Sequence, residues 1–376
     1  MRKFLLIALF FMIFIPKVYA DEDILKNARS GILIDNATGE VLYEKNSNER
    51  VSIASLTKMM AQIIILENIE SGHIKWNDIV VASSNASGMG GTQIWLSVGE
   101  KMSVEDLFKG VSIASANDAT VALAEHIAGT EENFVKLMND KKDALGLRNT
   151  NFVNCTGLDE DGHYSSAYDL SIIARELLKH NDILKYSSIY EDYIRVDTPN
   201  KYWLVNTNKL IRFYDGADGL KTGFTDAAHY TIAATAKRND LRLIAIVLGE
   251  DDSKVRNNET MDLLNYGFDN YKIDLLKKKG EVVDYLNVEM ANKENVPIVL
   301  EDNLAVLNKK TEQSIKYDYE IIIDDVSLPI TKGDKVGVIN LKSNNAIIKT
   351  MNLVIDENIK KIGFISYLIK NLFNIF

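Results

Sequence analysis

A serine and a lysine stand three residues apart in the apolar stretch IASLTKMM, residues 53–60. Side chains at positions i and i+3 of a helix project from one face, so Ser55 and Lys58 are expected to lie side by side. A serine hydroxyl is a weak nucleophile until a base removes its proton, and a lysine is such a base if burial or a nearby cation lowers its pKa. The spacing alone is weak evidence, because roughly one S-x-x-K match is expected by chance in a chain of this length.

Two further motifs add polar groups of the kind that such a serine needs. In SIASANDATVALAEHIAG, Ser115 offers a hydroxyl for proton relay and Asn117 an amide that can hold a substrate carbonyl. In DGLKTGFT, Lys221 offers a cation, Thr222 a hydroxyl, and Gly223 a close approach for a ligand backbone. A K-T-G tripeptide arises by chance in only about one chain in ten of this size. Each motif alone is equally compatible with a helix start or a turn before a strand.

The pattern around these motifs mixes strands and helices. Residues 31–46 predict a β-hairpin, and residues 230–249 predict two apolar strands joined by a polar turn. Residues 53–71, 104–128 and 131–145 predict three helices. Strand pairs beside helices are typical of an α+β domain in which an antiparallel sheet is packed with helices, and we predict that this domain covers residues 21–270.

After Phe268 the pattern changes. Short alternating runs separated by polar turns predict a small all-β domain over residues 271–355. In residues 356–376, apolar side chains return at helical spacing while lysines and asparagines gather elsewhere around the helix. A helix of that kind is predicted to lie in a membrane interface, although an amphipathic helix docked on the β domain has the same pattern.

The first twenty residues are typical of an export signal. Arg2 and Lys3 precede an apolar run that ends before Val18-Tyr19-Ala20, a small-residue cleavage site. The run is short for a membrane span, so we predict a signal peptide over residues 1–20 and an exported protein, with an uncleaved anchor as the alternative.

Composition excludes several classes of function. The net charge is −10, and loss of residues 1–20 removes three cations and no acid, which leaves −13; an acidic exported chain is a poor nucleic-acid binder. Cys155 is the only cysteine, so no disulfide forms within the chain, and we interpret it as a small core residue. The five histidines show no metal-ligand spacing. We therefore predict no metal and no cofactor.

Taken together, the three motifs occur in an order that is known from penicillin-binding proteins and class A β-lactamases. The chain resembles the low-molecular-weight penicillin-binding proteins, the serine D-alanyl-D-alanine carboxypeptidase family, over roughly Ala28–Phe268. The segments that carry the resemblance are SLTKMM, GGTQIWLSVGE, SANDATVALAEHIAG, LGLRNTNFVNCTGLDEDGHYSSAYDL, DGLKTGFT and RNNETMDLLNYGF, in family order. The later β domain and tail are similar to the family in kind rather than in sequence. The resemblance implies a penicillin-binding/β-lactamase-like transpeptidase fold.

The resemblance also implies a mechanism. Ser55 would attack the carbonyl between the two terminal D-alanines of a peptidoglycan stem peptide, and Lys58 would take the proton of the Ser55 hydroxyl. Ser115 would pass a proton to the departing D-alanine, and the backbone N–H groups of Ser55 and Phe224 would form the oxyanion hole. Water would then release the shortened peptide, and β-lactam antibiotics would be covalent inhibitors.

Substrate binding is implied for the remaining motif residues. Asn117 would hold the peptide, while Lys221 and Thr222 would bind its terminal carboxylate. The enzyme would work at the outer face of the bacterial cytoplasmic membrane. Many family members have glycine where this chain has His229, and the resemblance assigns no role to His163 or Asp169, for which a structural role is the simpler interpretation.

Three alternatives remain open at this stage. A β-lactamase has the same fold, but class A members use a glutamate after the second motif, and residues 151–180 contain no E-x-x-x-N pattern. A non-catalytic wall-binding or penicillin-sensing module would not need Lys58. A DD-endopeptidase would use the same residues, and the sequence does not distinguish it from a carboxypeptidase.

Overall fold

The computed structural model describes residues 23–312, 315–363 and 365. The predicted signal peptide and most of the predicted terminal helix lie outside these residues. The strands in chain order are β1 (Ser30–Asp35), β2 (Val41–Lys45), β3 (Ile79–Val81), β4 (Lys101–Ser103), β5 (Glu191–Ile194), β6 (Tyr202–Val205), β7 (Ala217–Thr225), β8 (His229–Arg238), β9 (Leu241–Glu250), β10 (Tyr271–Lys277), β11 (Val282–Leu286), β12 (Val296–Leu300), β13 (Leu304–Lys309), β14 (Asp318–Ile323), β15 (Lys335–Ser343) and β16 (Ala346–Ile355).

Apart from the single described residue 365, the helical residues that the structure describes all precede β10. They are α1 (Lys58–Glu70), α2 (Ser84–Ser87), α3 (Val104–Lys109), α4 (Asn117–Ala128), α5 (Glu131–Ala144), α6 (Ala167–Leu177), α7 (Asp182–Ser187), α8 (Leu210–Phe213) and α9 (Ser253–Asn270).

The first domain is built on an antiparallel sheet of order β2-β1-β9-β8-β7. Its central strand β9 is apolar at almost every position, because both faces of the sheet are covered. Ile244 and Ile246 pack into the core that includes α1, α4 and α6, whereas Leu243 and Val247 pack with α9 on the other face. The predicted antiparallel sheet packed with helices is confirmed.

Ser55 and Lys58 are carried by two elements rather than by one helix. A 3₁₀ turn covers Ala54–Thr57, and α1 begins at Lys58. In a 3₁₀ turn the side chains at i and i+3 eclipse each other, so the predicted juxtaposition of the two residues is kept. The turn packs against β7, the edge strand of the sheet.

The predicted helix over residues 104–128 is wrong in one respect, because the structure has two separate helices there, α3 and α4. After α3 the backbone forms one wide turn over Gly110–Ala114, and Ser115 adopts a left-handed conformation with φ 66° before α4 begins at Asn117. Left-handed backbone is uncommon for residues other than glycine, so the apolar periodicity through this stretch gave no sign of the break.

The second domain is all β. Its five-stranded sheet has the order β11-β12-β16-β15-β14, and β10 pairs with β13. Alternate residues of these strands form a separate core, with Ile298, Ile339 and Leu353 fully buried. The small all-β domain that the sequence pattern indicated is therefore present.

The predicted start of the terminal helix at residue 356 is wrong. Ile359 is buried in the β-domain core and bridges Ile330, and Lys361 bridges Ala291. Residues 357–361 therefore extend the β domain, and the isoleucine that the periodicity assigned to a helix face belongs to this core. None of the helices in the part of the chain that the structure describes is long and apolar enough to cross a bilayer.

Candidate active site

The amine of Lys58 lies against the hydroxyl of Ser55. The distance from Lys58 Nζ to Ser55 Oγ is 2.9 Å. The same nitrogen lies 2.6 Å from Asn117 Oδ1 and 2.7 Å from the carbonyl oxygen of Thr156. Two of these three partners can only accept hydrogen bonds. A neutral amine has two N–H donors and one lone pair, so it satisfies both acceptors and still accepts the Ser55 proton.

Burial favours that neutral form. Lys58 is 0% exposed, and the described residues place no carboxylate in a hydrogen bond or ion pair with it. Taking the charged form out of water lowers the pKa of Lys58 to about 7, although more distant acidic groups, including Asp118, act in the opposite direction. The lysine is therefore a base of suitable strength next to a hydroxyl.

The break between α3 and α4 places Ser115 at a cleft in the surface and Asn117 against the buried amine of Lys58. Ser115 lines the cleft beside Ser55. Asn117 opens α4, where its backbone N–H donates to Thr92 O and its side-chain amide donates to Gly90 O, each at 2.7 Å. The Asn117 amide thus bridges Lys58 and the loop at Gly90. Its second N–H has no partner among the described residues and is available to a ligand.

The third motif runs along β7. Lys221 is buried, and its amine donates to the carbonyl oxygen of Thr222 at 2.9 Å. Burial, together with the positive charges of Lys58 and Arg256, holds the pKa of Lys221 well below its usual value. A carboxylate that enters the cleft would favour the charged form again. The Thr222 hydroxyl bonds Thr207 Oγ1 at 2.8 Å.

Glycine is required between this strand and the 3₁₀ turn. A Cβ atom on Gly223 would lie 2.9 Å from the backbone nitrogen of Ser55 and 2.7 Å from Thr231 Oγ1. Such contacts are closer than van der Waals packing allows, so a larger residue would push β7 away from Ser55. The next residue, Phe224, stacks on Tyr230 with ring centroids 4.4 Å apart, and both rings line the cleft.

The cleft has a volume of about 380 Å³ and contains no carboxylate among its lining residues. Two cations, Lys209 and Arg256, line it in a chain whose net charge is −10. The complete lining is Ser55, Thr92, Ser115, Thr207, Lys209, Thr222, Gly223, Phe224, Tyr230, Ser253, Arg256 and Asn257. This excess of positive charge suits an anionic ligand.

Sequence reasoning missed Thr207 and Arg256. Arg256 begins the segment RNNETMDLLNYGF, which supported the family resemblance without drawing attention to the arginine itself. Its guanidinium is nearly buried and donates to Thr231 O, and burial lowers the pKa of Arg256 to about 10. Thr207 stands in a loop with no motif, so no sequence signal marked it.

A second missed group holds the backbone before the nucleophile. Ala54 has φ 48°, a strained value for a residue with a Cβ. The Thr57 hydroxyl donates to Ala54 O at 2.8 Å and lies 2.7 Å from His163 Nε2. Gly157 lies over the same carbonyl, so closely that a Cβ there would be 1.9 Å from the oxygen. The carbonyl before Ser55 is therefore fixed from two sides.

The tautomer of His163 follows from its partners. Nδ1 accepts the N–H of Val153 at 3.1 Å, which leaves the ring proton on Nε2, where it donates to Thr57. Burial lowers the pKa of His163 to about 4, so the ring is neutral at neutral pH. His163 therefore acts through Thr57 on the turn that carries Ser55.

Replacing His163 with alanine is expected to slow acylation by penicillin by ~10–10²-fold, because the turn that aims Ser55 loses its outer support. Stopped-flow acylation would measure the rate, and Thr57→Val should give a similar loss. His180→Ala is the matched control, since His180 is also buried but bonds Glu70 outside the cleft. A folded His163→Ala variant with a wild-type acylation rate would contradict the positioning role.

The other residues of note take structural positions. The Cys155 thiol is fully buried and donates to Glu131, and burial raises its pKa, so it is a poor nucleophile. Buried Asp169 accepts bonds from Asn149 N and Thr150 Oγ1. His229 has φ 55° where β8 begins, a backbone conformation that glycine adopts most readily.

A serine–lysine pair beside the edge strand of an antiparallel sheet, with helices on both faces, defines the class of penicillin-recognising serine enzymes. The chain belongs to the D-alanyl-D-alanine carboxypeptidase family, whose sequence profile matches residues 18–252. The profile of the penicillin-binding protein 5 C-terminal domain matches residues 271–361. The family resemblance found from the motifs is confirmed.

Individual proteins support the same relationship. D-alanyl-D-alanine carboxypeptidase DacF of Bacillus subtilis is 43% identical over 97% of this chain and 95% of its own length. The structure of penicillin binding protein 5 from Haemophilus influenzae superposes with a TM-score of 0.71 at 31% identity, covering 89% of this chain and 98% of that one. Penicillin-binding protein D2 of Listeria monocytogenes, solved in an ampicillin-bound form, is 32% identical, with a TM-score of 0.58, 64% of this chain covered and 97% of that one.

Proposed function

We propose that the chain is a serine D-Ala-D-Ala carboxypeptidase that removes the terminal D-alanine from peptidoglycan stem peptides through an acyl-enzyme at Ser55. The observation that carries the proposal is the 2.9 Å contact between Ser55 Oγ and a fully buried, partner-satisfied Lys58. Family membership supports the same activity. A binding module would gain nothing from burying an amine in this way.

In the acylation step, Ser55 Oγ attacks the carbonyl carbon of the penultimate D-alanine while Lys58 Nζ takes the hydroxyl proton. The negative charge on the carbonyl oxygen would be stabilised by the backbone N–H groups of Ser55 and Phe224. Collapse of this intermediate breaks the C–N bond, and the leaving amine receives a proton from Lys58 by way of the Ser115 hydroxyl. An ester to Ser55 and free D-alanine result.

Deacylation reverses the roles. Lys58, neutral again, takes a proton from a water molecule that attacks the ester, and the proton returns to Ser55 as the shortened peptide leaves. A β-lactam would acylate Ser55 by the same first step, but its amine remains tethered to the acyl group. Penicillin is therefore expected to be a covalent inhibitor.

Recognition of the substrate would rest on its terminal carboxylate. Lys221, Thr222 and Gly223 lie on the strand beside Ser55, and Arg256 adds a cation on the same side of the sheet as Tyr230. Asn117 would hold the peptide through its remaining amide N–H. The absence of carboxylates from the described lining of the cleft supports binding of an anionic peptide end.

The proposal is tested with the purified chain and a pentapeptide that ends in D-Ala-D-Ala. Stoichiometric release of D-alanine, stopped by penicillin, is expected. Hydrolysis of penicillin at a high rate without release of D-alanine would instead indicate a β-lactamase, and cleavage of crosslinked dimers in preference to pentapeptides would indicate an endopeptidase.

The location of the enzyme is a further part of the proposal. We place it outside the cytoplasmic membrane, with residues 1–20 as a cleaved signal peptide and the residues after 363 as an amphipathic helix on the membrane surface. The support is the sequence pattern of both ends, of which the structure describes only residue 365. A substrate polymer just outside the membrane fits such an attachment.

Full-length protein is expected to sediment with membranes, whereas a chain that ends at Gly363 stays in solution and still releases D-alanine. The cut after Gly363 keeps Ile359 in the β-domain core. Membrane fractionation and peptide hydrolysis measure the two properties. Equal sedimentation of both chains would show that the tail is not the attachment.

A further inference from the structure

Three large aromatic side chains are exposed on segments that lead into the cleft. Trp95 is 67% exposed, Trp203 54% and Tyr193 43%. We call these three residues the aromatic platform. Scattered apolar side chains on a surface are normal, but these belong to two segments that contact each other.

Trp95 is held outward against a conformational cost. Its φ is 61°, in the left-handed region that a tryptophan rarely adopts. The amides on either side of it, those of Ile94 and Leu96, donate to the carboxylate of Asp118 at 3.0–3.1 Å. Asp118 is 0% exposed and follows Asn117 at the start of α4. The fold thus fixes the backbone around an indole that itself remains in water.

The other two rings stand on the β5–β6 hairpin. Tyr193 and Trp203 are cross-strand partners, so their side chains share one face of the hairpin. The neighbouring pair, Ile194 and Tyr202, faces the opposite way: Ile194 is fully buried, and the Tyr202 hydroxyl bonds Gln93 O at 3.3 Å. The core side of the hairpin therefore rests on the Trp95 loop while the aromatic side faces out.

A second contact fixes the hairpin to the loop. The guanidinium of Arg195 donates to Ile94 O at 2.8 Å and pairs with Glu100 at 2.6 Å. Both segments continue into the cleft within a few residues. Thr92 precedes Trp95 by three positions and Thr207 follows Trp203 by four, and both threonines line the cleft. The platform therefore stands only three or four residues along the chain from residues that line the site where the peptide would react.

We propose that the aromatic platform binds the sugar rings of the glycan strand to which the stem peptide is attached. The inference rests on the proposed function, since a polymeric substrate presents sugars wherever it presents the peptide. Flat aromatic faces suit the C–H surfaces of a pyranose ring, and their polar edges suit its hydroxyls.

Charge argues for an uncharged partner rather than an anionic membrane. Asp192, Asp197 and Glu100 lie on or beside the platform segments, and Lys201 lies 4.1 Å from the Tyr193 ring centroid. The signs are mixed, since Asp192 pairs with Lys109 and Glu100 with Arg195, so the described residues of these segments present no excess of positive charge. A neutral saccharide is attracted to the rings without an electrostatic penalty.

The test compares one enzyme on two substrates. Wild type and the double variant Trp95→Ala/Trp203→Ala are assayed for D-alanine release from a soluble pentapeptide and from insoluble peptidoglycan carrying the same peptide. Release from the polymer is expected to fall ~10-fold while release from the soluble peptide changes by less than about 2-fold. Tyr285→Ala is the matched control, because Tyr285 is an equally exposed aromatic on β11 of the other domain.

A binding assay separates this inference from the catalytic proposal. Co-sedimentation with glycan strands stripped of their peptides should be lost in the double variant and kept in Trp203→Tyr, which retains an aromatic ring. If wild type fails to hydrolyse the peptide, the co-sedimentation still shows whether the aromatic platform binds glycan. Penicillin acylation checks that the double variant is folded. If it is not, the same assays are made on the single variant Trp203→Ala, whose side chain lies on the outer face of a hairpin.

Three results would overturn the inference. The first is wild-type release from the polymer by the folded double variant. The second is a double variant that still co-sediments with glycan but no longer floats with anionic vesicles. That result would mean that the platform binds the membrane. The third is a change in oligomeric state with unchanged glycan binding, which would assign it to a second copy of the chain.

Discussion

Replacing Ser55 with alanine is expected to abolish both D-alanine release and covalent labelling by penicillin, with a loss of ~10⁴–10⁶-fold in rate. Among the described residues, Ser55 supplies the one hydroxyl that bonds the Lys58 amine, whose other partners are an amide oxygen and a backbone carbonyl. Ser115, Thr207 and Thr222 also line the cleft, but the structure gives none of them a bond to that base. No other hydroxyl of the described residues is therefore activated by Lys58.

Intact-mass measurement after penicillin treatment checks this result, followed by mapping of the adduct to the peptide that contains Ser55. Ser188→Ala is the control, because Ser188 is an exposed serine outside the cleft whose hydroxyl bonds only Leu184 O. It should label at the wild-type rate. A penicillin adduct that persists in the Ser55→Ala protein would remove Ser55 from the mechanism.

Replacing Lys58 with arginine is expected to reduce acylation by ~10²–10⁴-fold although the positive charge is retained. A guanidinium stays protonated in proteins and has no lone pair to offer the Ser55 hydroxyl. The larger group must also fit where a primary amine contacts Asn117 and Thr156 at 2.6–2.7 Å. Single-turnover acylation by penicillin measures the effect, with Lys237→Arg on the exposed end of β8 as the control for a lysine-to-arginine change.

The same residue predicts the pH dependence of acylation. Since the pKa of Lys58 is lowered to about 7, the base form is the minor form at pH 6 and the major form at pH 8. The acylation rate of wild type should therefore rise with pH through about 7 and then level off. A rate that falls, or that stays constant across this interval, would show that Lys58 deprotonation does not limit acylation.

The motif spacing predicted which side chains lie close together better than it predicted the backbone that carries them. Ser55, Lys58, Ser115 and Lys221 stand in motifs because their spacing is tied to chemistry, and the structure brings the three motif segments together around one cleft. The neighbours that support them carry no pattern. The bond from Lys58 to Thr156 O uses a backbone atom, which any residue type could supply.

Conformation was harder to predict than composition. The apolar spacing of residues 104–124 continues through Ser115, so hydrophobic periodicity alone predicted a single helix. The structure instead has two helices, separated by a stretch that includes the left-handed residue Ser115. Near the other end of the chain, Ile359 fits a helix face and a β-domain core equally well by type. In both cases a tertiary contact accompanies the local structure: the bonds of Asn117 to Thr92 and Lys58 in the first, and the packing of Ile359 in the β core in the second.

The buried amines of Lys58 and Lys221 have a consequence for the evolution of thermostable forms. The pKa of Lys58 falls from 10.5 to about 7 on folding, which lowers the free energy of unfolding by roughly 5 kcal/mol relative to a chain in which this lysine stayed solvated. The full cost applies below pH 7, and it diminishes as the pH rises towards 10.5. An apolar side chain of similar length would remove that penalty but would deprive Asn117 Oδ1 and Thr156 O of their donor. Any stability gained by replacing Lys58 would be lost to catalysis, so gains in heat resistance must come from elsewhere in the chain.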